Sequence, residues 1–208
     1  MSTLEELSTF LQQGRVPKVK ELTLKALDEG IDPKTVLEEG LLSGMSVIGE
    51  KFKNNEVFVP EVLIAARAMN AGAQILKPYL TEAGVTEIGT VVLGTVKGDL
   101  HDIGKNLVKM MMEGKGLKVV DLGVDVPGEK FIEAAKENDA KIIACSTLLT
   151  TTMHEMKNVV DLAKGSGMDV KVMIGGAPVT QSFCDSIGAD CYTPDAASAA
   201  DAAAEFCR

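Results

Sequence analysis

Residues 90–106 read TVVLGTVKGDLHDIGKN. A run of small, apolar and β-branched residues, Thr90 to Val96, gives way to a loop carrying Gly98, Asp99, His101 and Asp102, and then to an amphipathic stretch. A short apolar run that ends in turn residues and is followed by a helix-period segment opens a βα unit. The unit recurs downstream. Apolar runs LKVVDLG (117–123), KIIACST (141–147), VKVMIGG (170–176) and the short GADCY (188–192) alternate with helix candidates at about 103–115, 128–138, 152–165, 180–187 and 195–206. Near-continuous apolar strands separated by helices predict a parallel, doubly wound sheet covered on both faces.

Upstream the period changes. Leu4, Leu7, Phe10 and Leu11 fall on one helical face, and Val19, Leu22, Leu24 and Leu27 repeat the pattern. Asp32-Pro33 sets a cap residue before a first-turn proline, opening a helix through Leu37, Leu41, Leu42, Met45 and Ile48. Pro60 opens a fourth helix through Val62, Leu63, Ala66, Met69 and Leu76, which Pro78 is expected to stop. The predicted fold class is α plus α/β. An antiparallel four-helix bundle spans residues 1–85, and a flavodoxin-like, five-stranded parallel domain of order 2-1-3-4-5 spans 86–208. LTEAGVTEIG (80–89) reads as the linker.

Composition narrows the chemistry. The chain has 208 residues, 46% of them hydrophobic and 25% charged, which is enough to bury a core without staples. Lys and Arg number 21 against 30 Asp and Glu, a net −9 that argues against nucleic acid or an anionic membrane as partner. Cys145, Cys184, Cys191 and Cys207 form no C-x-x-C, and Cys145 reads as a small buried hydrophobe. The N-terminal MSTLEELSTFLQQGRV lacks the basic and apolar regions of a signal peptide, and no apolar run approaches a membrane span. A reduced, cytoplasmic setting is expected. The two histidines, His101 and His154, leave little room for a multi-histidine metal site.

In a sheet of this kind ligands bind beyond the carboxyl ends of the strands, at the switch in strand order. Those ends carry Lys97 to Asn106, then Ser146 to Thr152, then Gly175-Gly176-Ala177-Pro178, then Tyr192-Thr193-Pro194-Asp195. Glycines and small hydroxyls there let backbone approach a large ligand. The first loop fails both the dinucleotide fingerprint and the phosphate-loop pattern. It offers one imidazole, His101, between Asp99 and Asp102. An imidazole that ligates a metal or accepts a proton uses one nitrogen, while a carboxylate holds the other. The loop composition equally suits two capping aspartates beside an exposed histidine. His154 reads as a first-turn helix residue without a role, Met110 to Met112 as core, and Lys97, Lys105 and Lys109 as a solvated face.

Asp99-x-His101-x-x-Gly104, then Ser146-x-Leu148, then Gly175-Gly176 resembles the cobalamin-binding signature of B12-dependent methyltransferases and mutases. Gly49-Glu50-Lys51-Phe52 and Val57-Phe58-Val59-Pro60-Glu61 resemble the cap bundle of methionine synthase and of small corrinoid methyl carriers. With both parts and no further module, the chain is similar to the corrinoid protein of three-component methyltransferase systems, which act on methylamines, methanol, betaines or methoxyarenes. The resemblance implies a cobalamin or related corrinoid bound base-off, with His101 as the lower cobalt ligand. Asp99 would bond the other ring nitrogen, and Thr152 would extend a proton relay, because Co(I) rejects the axial ligand that methyl-Co(III) accepts. Gly98, Leu100, Asp102 and Ile103 would complete the ligand loop, and Gly104 would let the displaced nucleotide tail pass the first helix. Ser146, Leu148, Thr150, Gly175 and Gly176 would line the tail channel, and Tyr192 would border its far end. Phe58 would cover the methyl face, although an aromatic in that apolar segment equally suits a core position.

The same resemblance implies a substrate-specific methyltransferase as first partner. A second methyltransferase acting on coenzyme M or tetrahydrofolate, and a reductive activase, would complete the system. Because both transferases must reach one cobalt face, a hinge is expected near residues 80–89. The rival reading is a B12-dependent sensor or regulator, but no DNA-binding helix pair or basic stripe accompanies it. A phosphoacceptor receiver would need acidic residues at the end of the first strand, where Gly94-Thr95-Val96-Lys97 stands. A flavin protein would need aromatics at strand ends, which are scarce.

Overall fold

The computed structural model describes residues 2–83 and 87–208. The chain divides into two compact units, residues 1–87 with 114–116 and residues 88–113 with 117–208. Residues 84–86 of the expected linker lie outside the described residues.

Among the described residues the first unit is helical. Helix α1 (Thr3–Gln12) opens on a capping box in which Ser2 accepts from the Glu5 N–H and the Glu5 carboxylate accepts from the Ser2 N–H. Helix α2 (Val16–Asp28) follows, with Pro17 in its first turn. Asp32 caps α3 (Pro33–Thr35), which runs through a π-helical stretch, Val36–Leu42, into α4 (Ser43–Lys53). The sequence pattern predicts one regular helix there and does not reveal the π stretch. Helix α5 (Val59–Glu82) continues past Pro78. A proline removes one N–H and one i−4 bond, and here that loss does not end the helix before Glu82. The core of the unit is Leu7, Leu11, Val19, Leu22, Leu41, Met45, Ile48, Val62, Met69 and Leu76.

The second unit contains, among the described residues, a five-stranded parallel sheet of order β2-β1-β3-β4-β5. The strands are β1 (Thr90–Thr95), β2 (Lys118–Asp121), β3 (Ile142–Ser146), β4 (Lys171–Gly175) and β5 (Cys191–Tyr192). Between and after them run α6 (Ile103–Glu113), α7 (Gly128–Glu137), α8 (Met153–Gly165), α9 (Gln181–Ile187) and α10 (Ala196–Phe206). Val92, Ile143, Cys145, Val172 and Ile174 face a core built with Phe131, Met156, Val159 and Val160. Side chains alternate across a strand, so Val91, Leu93, Ile142 and Met173 serve the opposite face. Strand β1 pairs with β2 on one side and β3 on the other, Leu93 against Asp121 and Thr95 against Ser146. The switch in strand order therefore falls between the ends of β1 and β3, which places the loops after those two strands side by side. No described helix is long and apolar enough to cross a membrane.

Candidate functional site

The loop after β1 is held in shape from several sides. Gly98 has φ +82°, a left-handed conformation, and a Cβ there would lie 3.2 Å from Thr152 Cγ2. The buried Thr95 hydroxyl donates to the His101 carbonyl at 2.9 Å. Asp99 folds back in an Asx turn, its Oδ1 accepting the His101 N–H at 3.0 Å. The same oxygen lies 2.7 Å from His101 Nδ1. An ionised carboxylate only accepts, so Nδ1 carries the proton and Nε2 is left as the basic nitrogen.

Asp99 is fully buried. Its second oxygen accepts from the Leu148 N–H at 2.7 Å, the Leu149 N–H at 3.2 Å and the Thr147 hydroxyl at 2.8 Å. Burial by itself would raise the Asp99 pKa. The backbone N–H groups of His101 and Leu148, with the His101 ring and the Thr147 hydroxyl, outweigh it and hold the carboxyl far below the usual range. Asp99 is therefore no helix cap. Asp102 stands at the start of α6, where its carbonyl accepts the Asn106 N–H at 2.7 Å and its carboxylate the Asn106 amide at 3.1 Å.

The hydroxyl nearest Asp99 is Thr147, a residue to which the sequence pattern attaches no role. Thr152 lies 2.6 Å from the Thr147 hydroxyl and 3.4 Å from Asp99 Oδ2. Each hydroxyl has one proton to give. With the Thr147 proton on Asp99, Thr152 donates to Thr147, and the chain runs Thr152, Thr147, Asp99, His101. The signal that could have found Thr147 is its position immediately after the last β3 residue, directly beside the end of β1.

The His101 side chain is 51% exposed, in contrast to the buried carboxylate that holds it. Large apolar side chains on the same loops are also exposed: Leu100 by 71%, Ile103 by 76%, and Leu148 and Leu149 by lesser amounts. At Gly104 a Cβ would meet nothing within 4 Å, so the start of α6 is open on that side.

Ser146 ends β3 half-buried, its carbonyl accepting the Val96 N–H at 3.0 Å. Thr150 is exposed in the Thr150–Thr152 turn, and Tyr192 is half-buried in β5 against the core. Gly175 ends β4, and its carbonyl accepts the Thr147 N–H at 3.2 Å. Gly176, at φ +134°, passes so near that a Cβ would fall 1.8 Å from the Thr147 carbonyl oxygen. The ends of β1, β3, β4 and β5 thus carry every expected site residue of the second unit.

Two expectations change. Lys105 is not part of a solvated face: it is 2% exposed and pairs with Asp121 Oδ1 at 2.6 Å, with Lys109 3.3 Å from Oδ2. Phe58, which precedes α5 in the first unit, is no core residue, being 64% exposed. The thiol of Cys145 is pushed up by burial and is inert, and all four cysteines are free. His154 sits exposed in the first turn of α8 with Nδ1 2.9 Å from the Thr151 carbonyl, apart from the Asp99 network. Among the described residues no cluster of His, Cys, Asp and Glu is arranged to hold a metal ion by itself.

The chain has relatives among known proteins. Family models described as B12 binding domains match residues 89–204 and residues 3–77. The chain is 42% identical over 208 residues to dimethylamine corrinoid protein 1 of Methanosarcina acetivorans, covering 97% of this chain and 98% of the relative. It is 46% identical over 176 residues to trimethylamine corrinoid protein 1 of Methanosarcina mazei, covering 83% and 82%. The crystal structure of the methanol:cobalamin methyltransferase complex MtaBC from Methanosarcina barkeri superimposes with a TM-score of 0.88 at 31% identity, over 99% of this chain and 79% of that one. The chain belongs to the B12-binding corrinoid protein family.

Proposed function

We propose that this protein carries a methyl group on a cobalamin or related corrinoid, with His101 as the lower axial ligand to cobalt. The observation that carries the reading is the His101 ring. One nitrogen is spent on a buried carboxylate, and the other is presented from a loop rimmed by exposed apolar side chains. The residues present suit a large, flat, mostly apolar group. Leu100, Ile103 and Leu148 offer apolar surface, and Gly104 leaves free the space that a side chain would fill.

When bound, the corrinoid supplies a cobalt centre at which a methyl group is accepted and released. His101 Nε2 would hold that centre in the base-off, His-on arrangement. Asp99 keeps the proton on Nδ1 and fixes the tautomer in which Nε2 is the nitrogen left to ligate. Thr147 and Thr152 give a short hydroxyl chain along which a proton could reach or leave Asp99. Gly98, Asp102 and Ile103 belong to the ligand loop in this reading. Ser146, Leu148, Thr150, Gly175, Gly176 and Tyr192 would border the tail.

A substrate-specific methyltransferase is the first partner, as in the relative crystallised as a methyltransferase complex. The relatives named for dimethylamine and trimethylamine make a methylated amine the donor to test first. A second methyltransferase acting on coenzyme M or tetrahydrofolate, a reductive activase and a reduced cytoplasmic setting complete the reading. Reconstitution with hydroxocobalamin tests it through the visible spectrum of the wild type, His101→Ala and His154→Ala. The wild type and His154→Ala should bind with identical axial ligation, and His101→Ala should show a changed one. Absence of bound corrinoid in the wild type defeats the function, and unchanged ligation in His101→Ala defeats the role of His101.

A further inference from the structure

Asp125 stands on the loop between β2 and α7, at φ +54°. A side-chain-bearing residue reaches that left-handed region at some cost, and such outliers cluster where geometry is being held for a purpose. The Asp125 carboxylate accepts the Gly98 N–H at 2.7 Å, and the Asp125 N–H donates to the Asp99 carbonyl at 3.0 Å. These two bonds grip the Gly98-Asp99 segment, the same two residues whose conformation aims Asp99 at His101. Gly98 is itself left-handed, so nothing in its own backbone preference keeps it there.

The clamp has a fixed support. Val126 bridges to Val96 in parallel fashion, and the Val126 N–H donates to the Thr95 carbonyl at 3.0 Å. On the other side, Asp121 Oδ1 accepts the Gly123 N–H at 3.0 Å and pairs with the buried Lys105 at 2.6 Å. The β2–α7 loop is therefore anchored to the sheet edge and to α6, with Asp125 reaching from it across the end of β1.

Resting on the corrinoid reading above, we propose that Asp125 is a positioning residue that grips Gly98 and Asp99 and so presets the ring of His101 for axial ligation. A loop gripped in advance spares the ordering cost that ligand binding otherwise carries.

Asp125→Gly removes the acceptor but tolerates the left-handed backbone. Asp125→Ala removes the acceptor and strains the backbone. Asp125→Asn keeps an acceptor oxygen and tolerates left-handed φ. In the protein without corrinoid, the Gly98 amide should exchange with solvent faster in the Gly and Ala variants and at the wild-type rate in Asn. On titration with hydroxocobalamin, the Gly and Ala variants should bind roughly tenfold more weakly, the scale of one charge-assisted hydrogen bond. Their spectra should show a larger share of cobalt without histidine ligation, and Asn should restore both. A Gly variant with wild-type spectrum and affinity overturns the proposal, as does an Asn variant as defective as Ala. A wild type that takes up no corrinoid overturns the functional reading itself and this inference with it.

Discussion

Thr147 Oγ1 donates to Asp99 Oδ2 at 2.8 Å across 48 residues of chain. The contact exists because β1 and β3 are neighbours in the sheet and both residues lie just past the strand ends. It buries an ionised carboxylate at tolerable cost, since backbone and hydroxyl donors replace the water that Asp99 gives up.

The two threonines should separate by stability. Thr147→Val removes a donor to a buried anion and should cost about 2 kcal/mol. Thr152→Val lies farther from the carboxylate, at 3.4 Å, and should cost about half as much. Urea unfolding of both variants and of the double variant measures it. A double variant showing simple additivity would contradict a continuous hydroxyl chain.

Gly104→Leu should leave the fold intact and abolish corrinoid uptake. Its Cβ meets nothing within 4 Å, and leucine in place of glycine in a helix adds up to about 1 kcal/mol of stability. Equilibrium binding of hydroxocobalamin beside a thermal melt gives both readouts. Retained affinity with a raised melting temperature would show that the space beside α6 is not used.

Gly176→Ala should fail in the opposite way. Its methyl would sit 1.8 Å from the Thr147 carbonyl oxygen at φ +134°, so the β4 loop must move away from Thr147. A loss of more than about 3 kcal/mol is expected, read as a lowered urea midpoint even without corrinoid.

The Lys105–Asp121 pair predicts an acid-sensitive limb. Burial by itself would raise the Asp121 carboxyl. The hydrogen bond from Lys105, the Gly123 N–H and the charges of Lys105 and Lys109 outweigh it and hold the pKa below its ordinary value. A carboxyl depressed in the folded state adds stability above the unfolded value near 3.9, and that stability is lost as pH falls through the folded value. Unfolding free energy should therefore drop between about pH 5 and pH 2. Asp121→Asn should flatten that drop, and Lys105→Met should cost about 2 kcal/mol at pH 7, since Lys109 still partners the carboxylate. An equal acid slope in Asp121→Asn would assign the effect to another group.

What the sequence by itself determined was the periodic part. Alternating apolar runs and helix-period segments are local patterns, so the five strands, their order and the helical N-terminal unit were legible before any coordinate. So was the placement of one of the two histidines, His101, in the loop after β1. Only the tertiary structure decided the partners. Thr147, Leu148 and Leu149 reach Asp99 across the paired ends of β1 and β3, and strand order by itself does not record which groups of the two loops bond. Lys105 looked solvated because helical period predicts a face but not the carboxylate of an adjacent strand that buries it. Asp125 carried no motif at all, since its value lies in a backbone conformation and in two bonds to a loop that the sheet brings alongside. Periodicity is written along the chain, whereas the support of a site comes from contacts between segments far apart in it.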